Sequence, residues 1–369
     1  MRMYFNQLAS KSLLLLGLTL GLVGCSKAPD PQDDIPLFKT FIAENIDKVS
    51  DDPYISSTVK PGDKMYEFLK YLQHGSGRNR LIKTLVDNGD PEAMLWFARL
   101  NLGNTEIRGQ VLQLMRDSML AGNPYAALEL SEGSESCTYY FGRDSVGNNL
   151  AEMAGLNSSN DSDVCSKDNF TKAVKGFEKL AKEGDLRAQY FLLKQKHWDK
   201  SKETRADYIR EVIRFAEAHY YQPLMDYVGT ILYRPEKDYI SDTSEQRALA
   251  VNLLTIASNN NYIPAIERLI RIDNSKRKND VFYLKLLNLG SPYYYASRFL
   301  RFENEYNENE LYCFATAYQV ISGGDQKLFI WLDDDMRTNP PSCDQKQTPA
   351  MVYIDGFTQS GFWRDRGGR

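Results

Sequence analysis

The chain has 369 residues, a formal net charge of −4 and 42% hydrophobic residues. It is long enough to bury a sizeable core, either as two globular domains or as one elongated repeat array. A mildly acidic chain has no electrostatic reason to bind nucleic acid, so that class of function is excluded.

Residues 1–24 predict a cleaved export signal. Arg2 and Lys11 form a short positive region, and the uncharged stretch that follows, up to residue 23, is too short to span a membrane. The ending Leu22-Val23-Gly24-Cys25 resembles the lipobox of bacterial lipoproteins, which implies cleavage before Cys25 and acylation of that residue. An ordinary secretory peptide with an incidental cysteine is the alternative. Loss of residues 1–24 leaves a net charge of −6.

The residues after Cys25 predict how the protein is attached to a membrane. Residues 25–34 predict a flexible tether, because they contain two prolines and no apolar period. In the lipoproteins that the lipobox resembles, an aspartate directly after the cysteine favours the inner membrane. Ser26 stands there in this chain, which implies a lipid anchor on the periplasmic face of the outer membrane. No other segment approaches the roughly eighteen consecutive apolar residues of a membrane span.

Residues 35–75 predict two N-terminal helices that cap a larger array. Ile35–Lys48 and Met65–Gln73 have helical patterns, and a polar segment with Pro53 and Pro61 joins them.

A turn-like segment recurs along the middle of the chain. The shared form is Gly or Asn, then a short polar residue and often Pro, with a small or apolar residue four places on, although the copies at Tyr221 and Asn261 lack the glycine. The copies begin at Gly89, Gly122, Gly184, Tyr221, Asn261 and Gly290. Gly or Asn can end one helix in the left-handed conformation, and the polar residue can cap the next helix. Spacings of 33, 62, 37, 40 and 29 residues indicate helical hairpins with one double-length gap.

Two of these turns carry a family resemblance. Gly89-Asp90-Pro91-Glu92-Ala93 and Gly184-Asp185-Leu186-Arg187-Ala188 resemble the central turn of SEL-one-like repeats, which are short relatives of tetratricopeptide repeats. The resemblance implies an all-α fold, a right-handed α-solenoid of helical hairpins over residues 76–318. An irregular all-helical domain whose turns coincide by chemistry is the alternative.

The four cysteines after Cys25 indicate two disulfides, because the export signal implies an oxidising compartment. Four cysteines allow three pairings, and an extended repeat fold favours the local pairs, Cys137 with Cys165 and Cys313 with Cys343. The first pair lies in the double-length gap, which we interpret as a degenerate unit with an insert at about 134–168 and a contact surface.

Residues 319–369 predict a short irregular C-terminal extension, in which Met351–Ile354 is a candidate short strand. The extension also contains the tightest acidic cluster, Asp333-Asp334-Asp335. These adjacent carboxylates lack the alternating spacing of a calcium loop, so a solvated loop is favoured over a metal site.

The motif search favours a protein that is not an enzyme and holds no cofactor. The sequence contains no nucleophile elbow, phosphate-binding loop, zinc-protease helix or dinucleotide fingerprint. The three histidines, His74, His197 and His219, are scattered and no Cys-x-x-Cys pair exists, so zinc is not expected. His197 and His219 are candidate general bases without an identifiable nucleophile, and packing or surface positions are favoured for both.

Tyrosine clusters are the candidate partner-binding residues, because a tyrosine combines a large contact area with a hydrogen-bonding tip. The candidates are Tyr220, Tyr221, Tyr293, Tyr294 and Tyr295. Packing in the repeat core is the alternative for these residues.

Together these features predict a lipid-anchored helical scaffold or adaptor that binds a protein partner in the bacterial envelope. The repeat resemblance implies an alternative, an immunity protein that captures a periplasm-targeted phospholipase toxin delivered by type VI secretion. A third class, an envelope hydrolase, requires the C-terminal extension to complete a site.

Overall fold

The computed structural model of the protein describes residues 29–73, 79–156, 163–232, 243–272, 280–292, 296, 307–332, 334–343 and 350–354. These residues form α-helices, a π-helical turn at Cys137–Phe141 and two short 3-10 turns, with one isolated bridge between Ser131 and Ser166 and no β-strand. The helices in chain order are α1 Pro31–Asn45, α2 Tyr66–Leu72, α3 Asn79–Asp87, α4 Pro91–Leu100, α5 Arg108–Leu120, α6 Pro124–Glu129, α7 Val146–Met153, α8 Lys167–Lys182, α9 Leu186–Gln195, α10 Arg205–Glu217, α11 Gln222–Leu232, α12 Ser244–Asn259, α13 Ile263–Ile272, α14 Asp280–Asn288, α15 Glu308–Ile321 and α16 Asp334–Thr338.

One hydrogen-bonded turn ends the first helix of every predicted hairpin. At Gly89 the backbone is left-handed, its N–H donates to the Val86 carbonyl, and the next N–H donates to the Leu85 carbonyl. This is the Schellman pattern, which satisfies carbonyls that the helix end leaves without partners. The pattern is repeated with the same register at Gly122, Gly184, His219, Asn261 and Gly290.

The structure corrects the register of the fourth turn. The left-handed residue there is His219, not Tyr221, so the separations before and after it are 35 and 42 residues. The same pattern also ends α7 at Gly155 and α15 at Gly323, and neither position is among the six predicted turns. All predicted turns in the described part of the chain are therefore helix-ending turns.

The principal contacts join helices that follow one another in the chain. Successive contacts run from α3 to α6, continue directly from α6 to α8 and α9, and then run from α10 through to α14. Because α6 packs directly on α8, the segment between them, including α7, lies outside the succession of helices. The double-length gap is thus an insert between two adjacent hairpins.

The α6–α8 contact depends on a glycine in α8. A Cβ atom at Gly176 would lie 2.7 Å from Cβ of Pro124, the first residue of α6. Phe177, the next residue in α8, is fully buried beside Tyr125, with ring centroids 4.9 Å apart. The two helices therefore approach closely because residue 176 has no side chain.

We predict opposite effects for the same substitution at two helical glycines. Gly176→Ala is expected to lower the free energy of unfolding by about 1–3 kcal/mol, because the proline ring cannot move away without repacking. Gly229→Ala in α11 is expected to raise it by roughly 0.5–1 kcal/mol, because nothing lies within 4 Å of the new Cβ and alanine favours a helix. Urea denaturation of both variants measures the difference, and an equal effect at both positions would contradict this packing.

The first helix differs from the prediction in both its start and its position. It begins at Pro31, so residues 31–34 are its first turn and not part of a flexible tether. It does not cap the start of the array: it packs against α10 and α12, and Phe38 is fully buried against Tyr227 of α11. The second predicted helix, α2, is present and contacts α3.

The segment after α1 continues this packing. The Ser50 N–H donates to the Asn259 carbonyl at 3.0 Å, and the Ser56 hydroxyl donates to the Asn260 carbonyl at 2.7 Å. Residues 46–56 are thereby held against the turn between α12 and α13.

Residues 350–354 are extended but do not form the predicted strand. They lie against the segment around Ser57 and Thr58 and against α2. Tyr66 donates to the Ala350 carbonyl at 2.7 Å, and Val352 is fully buried. Side-chain and backbone groups of the N-terminal segment supply these hydrogen bonds, so no ladder between two strands is formed.

Both predicted disulfides are present. Cys137 is bonded to Cys165, and Cys313 is bonded to Cys343. Among the helices that the structure describes, none has both the length and the apolar content needed to cross a membrane.

Candidate partner-binding surface

The insert between α6 and α8 begins and ends at one place. Ser131 and Ser166 form the isolated bridge, in which the Glu132 N–H donates to the Ser166 carbonyl at 3.2 Å. The Cys137–Cys165 disulfide closes the same neck, with Cα atoms 5.5 Å apart. Asn169 of α8 donates from its side chain to the Leu130 carbonyl at 2.9 Å. The insert is therefore a closed loop whose base is fixed to both neighbouring helices.

A buried arginine holds the inner side of the insert. Arg108, the first residue of α5, donates to the Tyr140 carbonyl at 2.7 Å and to the Asn148 side-chain oxygen at 3.0 Å. Its guanidinium also lies 5.0 Å from the ring centroid of Phe141. Burial lowers the pKa of Arg108, but an arginine stays charged at neutral pH. The strength of these charge-assisted bonds favours one fixed position for α7.

Helix α7 lies close to the turn that precedes it. A Cβ atom at Gly147 would lie 2.8 Å from Cα of Tyr140, so the second residue of α7 has no room for a side chain. On the inner side, Asn148 and Ala151 are fully buried. Phe141 is also buried, in a cluster with residues of α5 such as Val111 and Met115.

The outer side of α7 is apolar and exposed. Val146, Leu150 and Met153, which we term the α7 face, are 64%, 51% and 86% exposed. Their i, i+4, i+7 spacing places them on one side of the helix. Tyr139 and Leu156, on either side of α7 in the chain, are exposed as well. The spacing of these residues was visible in the sequence, but the polar run around them obscured it, and a pattern does not tell which side of a helix faces water.

The predicted binding tyrosines divide into two groups. Tyr293, Tyr294 and Tyr295 lie outside the described residues. Tyr220 and Tyr221 are buried, which contradicts their prediction as partner-binding residues. They precede α11 in the turn, so their side chains diverge: Tyr220 packs near Tyr190 and Phe215, and Tyr221 packs on Tyr262 with centroids 5.5 Å apart. The alternative of core packing is correct for this pair.

The other predicted site residues are placed as follows. Cys25 lies outside the described residues, as do His74 and Asp333. His197 is exposed in a left-handed turn after α9, and His219 is half-buried in the turn before α11. Asp335 is exposed in α16. Within the described ranges no group of three or more His, Cys, Asp or Glu side chains is arranged to hold a metal ion.

The partly buried side chain of His219 leads to a prediction about how stability depends on pH. Burial lowers the pKa of His219, against a smaller opposing effect of Asp52. The unfolded chain therefore binds this proton more tightly, so stability is highest above about pH 6.5 and decreases as the pH falls below that value. His219→Gly is expected to flatten this dependence between about pH 7 and 5 and to remove the strain of a φ of +59°.

Urea denaturation at about pH 7 and at about pH 5 measures this effect. His197→Gly is the matched control, because it relaxes the same left-handed backbone at an exposed position. An undiminished pH dependence in the His219→Gly variant would rule out His219 as its source.

The three most regular hairpin turns meet at a pocket of about 330 Å³, which is lined by both apolar and charged side chains. Asp90, Asn123 and Asp185 cap the helices that follow them, each accepting a backbone N–H. Burial raises the pKa of Glu92, although Arg187 opposes that change. Burial would also raise the pKa of Asp185, but Arg187, whose guanidinium lies 3.0 Å away, lowers it overall. The charged side chains of this pocket interact mainly with one another. We therefore interpret the pocket as a structural contact between successive turns.

Comparison of the chain with protein-family models, curated proteins and solved structures gave no match. The geometry of the described residues thus carries the functional argument on its own. The feature that stands out is the α7 face, an apolar surface on a helix that the disulfide and Arg108 hold in place.

Proposed function

We propose that this protein is a lipid-anchored scaffold of the bacterial envelope that binds a protein partner through the α7 face. The observation that carries the proposal is the exposure of Val146, Leu150 and Met153 on one side of a helix that a disulfide and Arg108 hold in place. Burying a side chain of this kind contributes about 1.5–3 kcal/mol, and a fixed surface loses little conformational entropy when it binds.

The proposed architecture is a right-handed α-solenoid of SEL-one-like repeats, with the insert on one edge. The recurrence of one helix-ending turn and the contacts between consecutive helices support it. In such an array each hairpin contacts mainly its neighbours, and an insert in one repeat provides a binding surface without disturbing the others. The proposed location is the periplasmic face of the outer membrane, through acylated Cys25.

Site-specific crosslinking tests the binding surface. The chain from residue 25 onward, with Cys25→Ser and a photo-crosslinking amino acid at Leu150, is exposed to periplasmic extract and, separately, to purified toxins encoded beside its gene. We expect one stoichiometric partner at Leu150 and none when the same group replaces Leu120, which is equally apolar and 78% exposed on α5.

Two double variants decide the outcome. Leu150→Lys with Met153→Lys is expected to weaken capture of that partner at least tenfold, whereas Leu120→Lys with Val320→Lys leaves it unchanged. Equal losses in both pairs, or crosslinks at both positions, would overturn the proposed surface. A toxin that loses activity on capture would assign the immunity function, and a resident envelope protein would assign the adaptor function.

The anchor has its own test. Mass spectrometry of the protein from bacterial membranes is expected to find a chain that begins at an acylated Cys25. A chain that begins elsewhere, or an unmodified Cys25, would overturn the lipid anchor and leave the binding surface unaffected.

A further inference from the structure

A cluster of exposed lysines lies in the last turn of α9 and in the connection from α9 to α10. Lys194, Lys196, Lys200 and Lys202 fall within nine residues, and all four are exposed; we term residues 194–202 the lysine loop. Trp198 is half-buried at its centre and packs against the core, with Nζ of Lys196 4.3 Å from its ring centroid. The tryptophan therefore fixes the middle of the loop and leaves the lysines in solvent.

The lysine loop lies at the same edge of the molecule as the N-terminus of α1. Arg205, three residues after the loop, pairs with Asp34 in the first turn of α1, and its Nη1 donates to the Asp199 carbonyl at 3.0 Å. At the same edge, Gln32 accepts a hydrogen bond from Thr243 at 2.7 Å. The N-terminus of α1 is thus enclosed by the starts of α10 and α12.

The position of Cys25 limits how far this edge can lie from a membrane. Cys25 precedes Pro31 by six residues, and an extended chain spans at most about 3.6 Å per residue. The start of α1 is therefore within roughly 22 Å of the Cys25 Cα atom. A lipid on Cys25 therefore limits the distance between the lysine loop and the bilayer and gives the loop a high effective concentration near the headgroups.

We propose that the lysine loop docks on anionic phospholipid headgroups of the membrane in which Cys25 is anchored. This inference rests on the lipid anchor of the proposed function. Each lysine close to an anionic bilayer increases partitioning about fivefold, an attraction that is screened at high salt. Exposed acids on the same edge, Asp33, Glu203 and Glu245, oppose the lysines, so the docking is weak without the anchor and orients the protein once the anchor is present.

Hydrogen exchange on tethered protein tests this docking. The unacylated chain from residue 25 onward is coupled through its Cys25 thiol to vesicles that contain a maleimide lipid, either in phosphatidylcholine alone or with phosphatidylglycerol added. The other four cysteines are in disulfides, so the coupling is specific. We expect amides of the lysine loop to exchange at least fivefold more slowly on the anionic vesicles and to lose that protection at about 0.5 M salt.

Substitutions distinguish an effect of the lysine loop from an effect of net charge. Replacing Lys194, Lys196, Lys200 and Lys202 with Gln is expected to remove the protection. Replacing four exposed lysines of α8 with Gln, at Lys172, Lys175, Lys179 and Lys182, is the matched control and is expected to retain it. Equal exchange on both kinds of vesicle, or an equal loss in both variants, would overturn the docking. Because the coupling is chemical, the result does not depend on whether cells acylate Cys25, which the mass of the native N-terminus tests separately.

Discussion

Replacing Asp34 with Ala is expected to lower the free energy of unfolding by about 3–5 kcal/mol and to detach α1 from α10 and α12. The Asp34 side chain is 1% exposed and accepts hydrogen bonds from Arg205, at 2.6 Å to Nη2, and from the Tyr227 hydroxyl at 3.0 Å. Loss of the carboxylate leaves a buried guanidinium without its counter-charge. That penalty, more than the attraction between the two ions, accounts for the size of the effect.

The protonation properties of the two partners agree with this account. Burial alone would lower the pKa of Arg205, but the hydrogen bonds and charge of Asp34 raise it overall. Burial raises the pKa of Tyr227, and the adjacent Asp34 carboxylate raises it further. Both groups therefore donate to Asp34 throughout the neutral range.

Urea denaturation and hydrogen exchange of α1 measure the effect. Arg210→Ala is the control, since it breaks an ion pair between Arg210 and Asp207 that is largely exposed and is expected to cost less than about 1 kcal/mol. A triple variant with Asp34→Leu, Arg205→Met and Tyr227→Phe is expected to recover most of the lost stability, because apolar groups replace the whole buried cluster. If Asp34→Ala costs no more than Arg210→Ala, α1 does not occupy this position.

The position of α1 shows where the sequence analysis was limited. Asp30 and Pro31 form a typical helix start, a capping side chain followed by proline at the first turn, and the cap is present in the structure. The polar run that follows was interpreted as a tether instead. Which helices α1 packs against depends on residues about 170 to 220 positions later in the chain, such as Arg205 and Gln246, and no local pattern encodes such contacts.

The turns, by contrast, could be predicted because their sequence signals are local. A helix-ending turn needs a left-handed residue and a cap within a few positions, so its signal is local, and Gly89, Gly122, Gly184 and Gly290 are all at the expected places. The fourth turn was misaligned by two residues because His219, and not the expected Gly or Asn, is the left-handed residue there. The local disulfide pairs could be predicted from the expected oxidising compartment together with an extended repeat fold, which favours pairing of cysteines that are close in the chain.

Removal of the Cys137–Cys165 disulfide is expected to loosen the insert while the helical array stays folded. In the chain-entropy model, closing a 28-residue loop stabilises the folded state by about 3.6 kcal/mol. The other contacts of the insert include the Ser131–Ser166 bridge, the hydrogen bonds of Arg108, the packing of Phe141 on α5 and the ion pair between Arg116 and Asp163. We therefore expect the amides of α7 to exchange at least tenfold faster in a variant with both cysteines replaced by Ser.

The second disulfide provides the comparison for this prediction. Cys313 and Cys343 enclose a loop of nearly the same length, 30 residues, so the two double serine variants lose similar chain-entropy stabilisation. Exchange in α7 should change only in the first variant, because the second disulfide ties α15 to the segment after α16. If the α7 amides are unaffected by loss of Cys137 and Cys165, the α7 face is positioned by Arg108 and the neck hydrogen bonds alone. Its rigidity would then be independent of the redox state of the compartment.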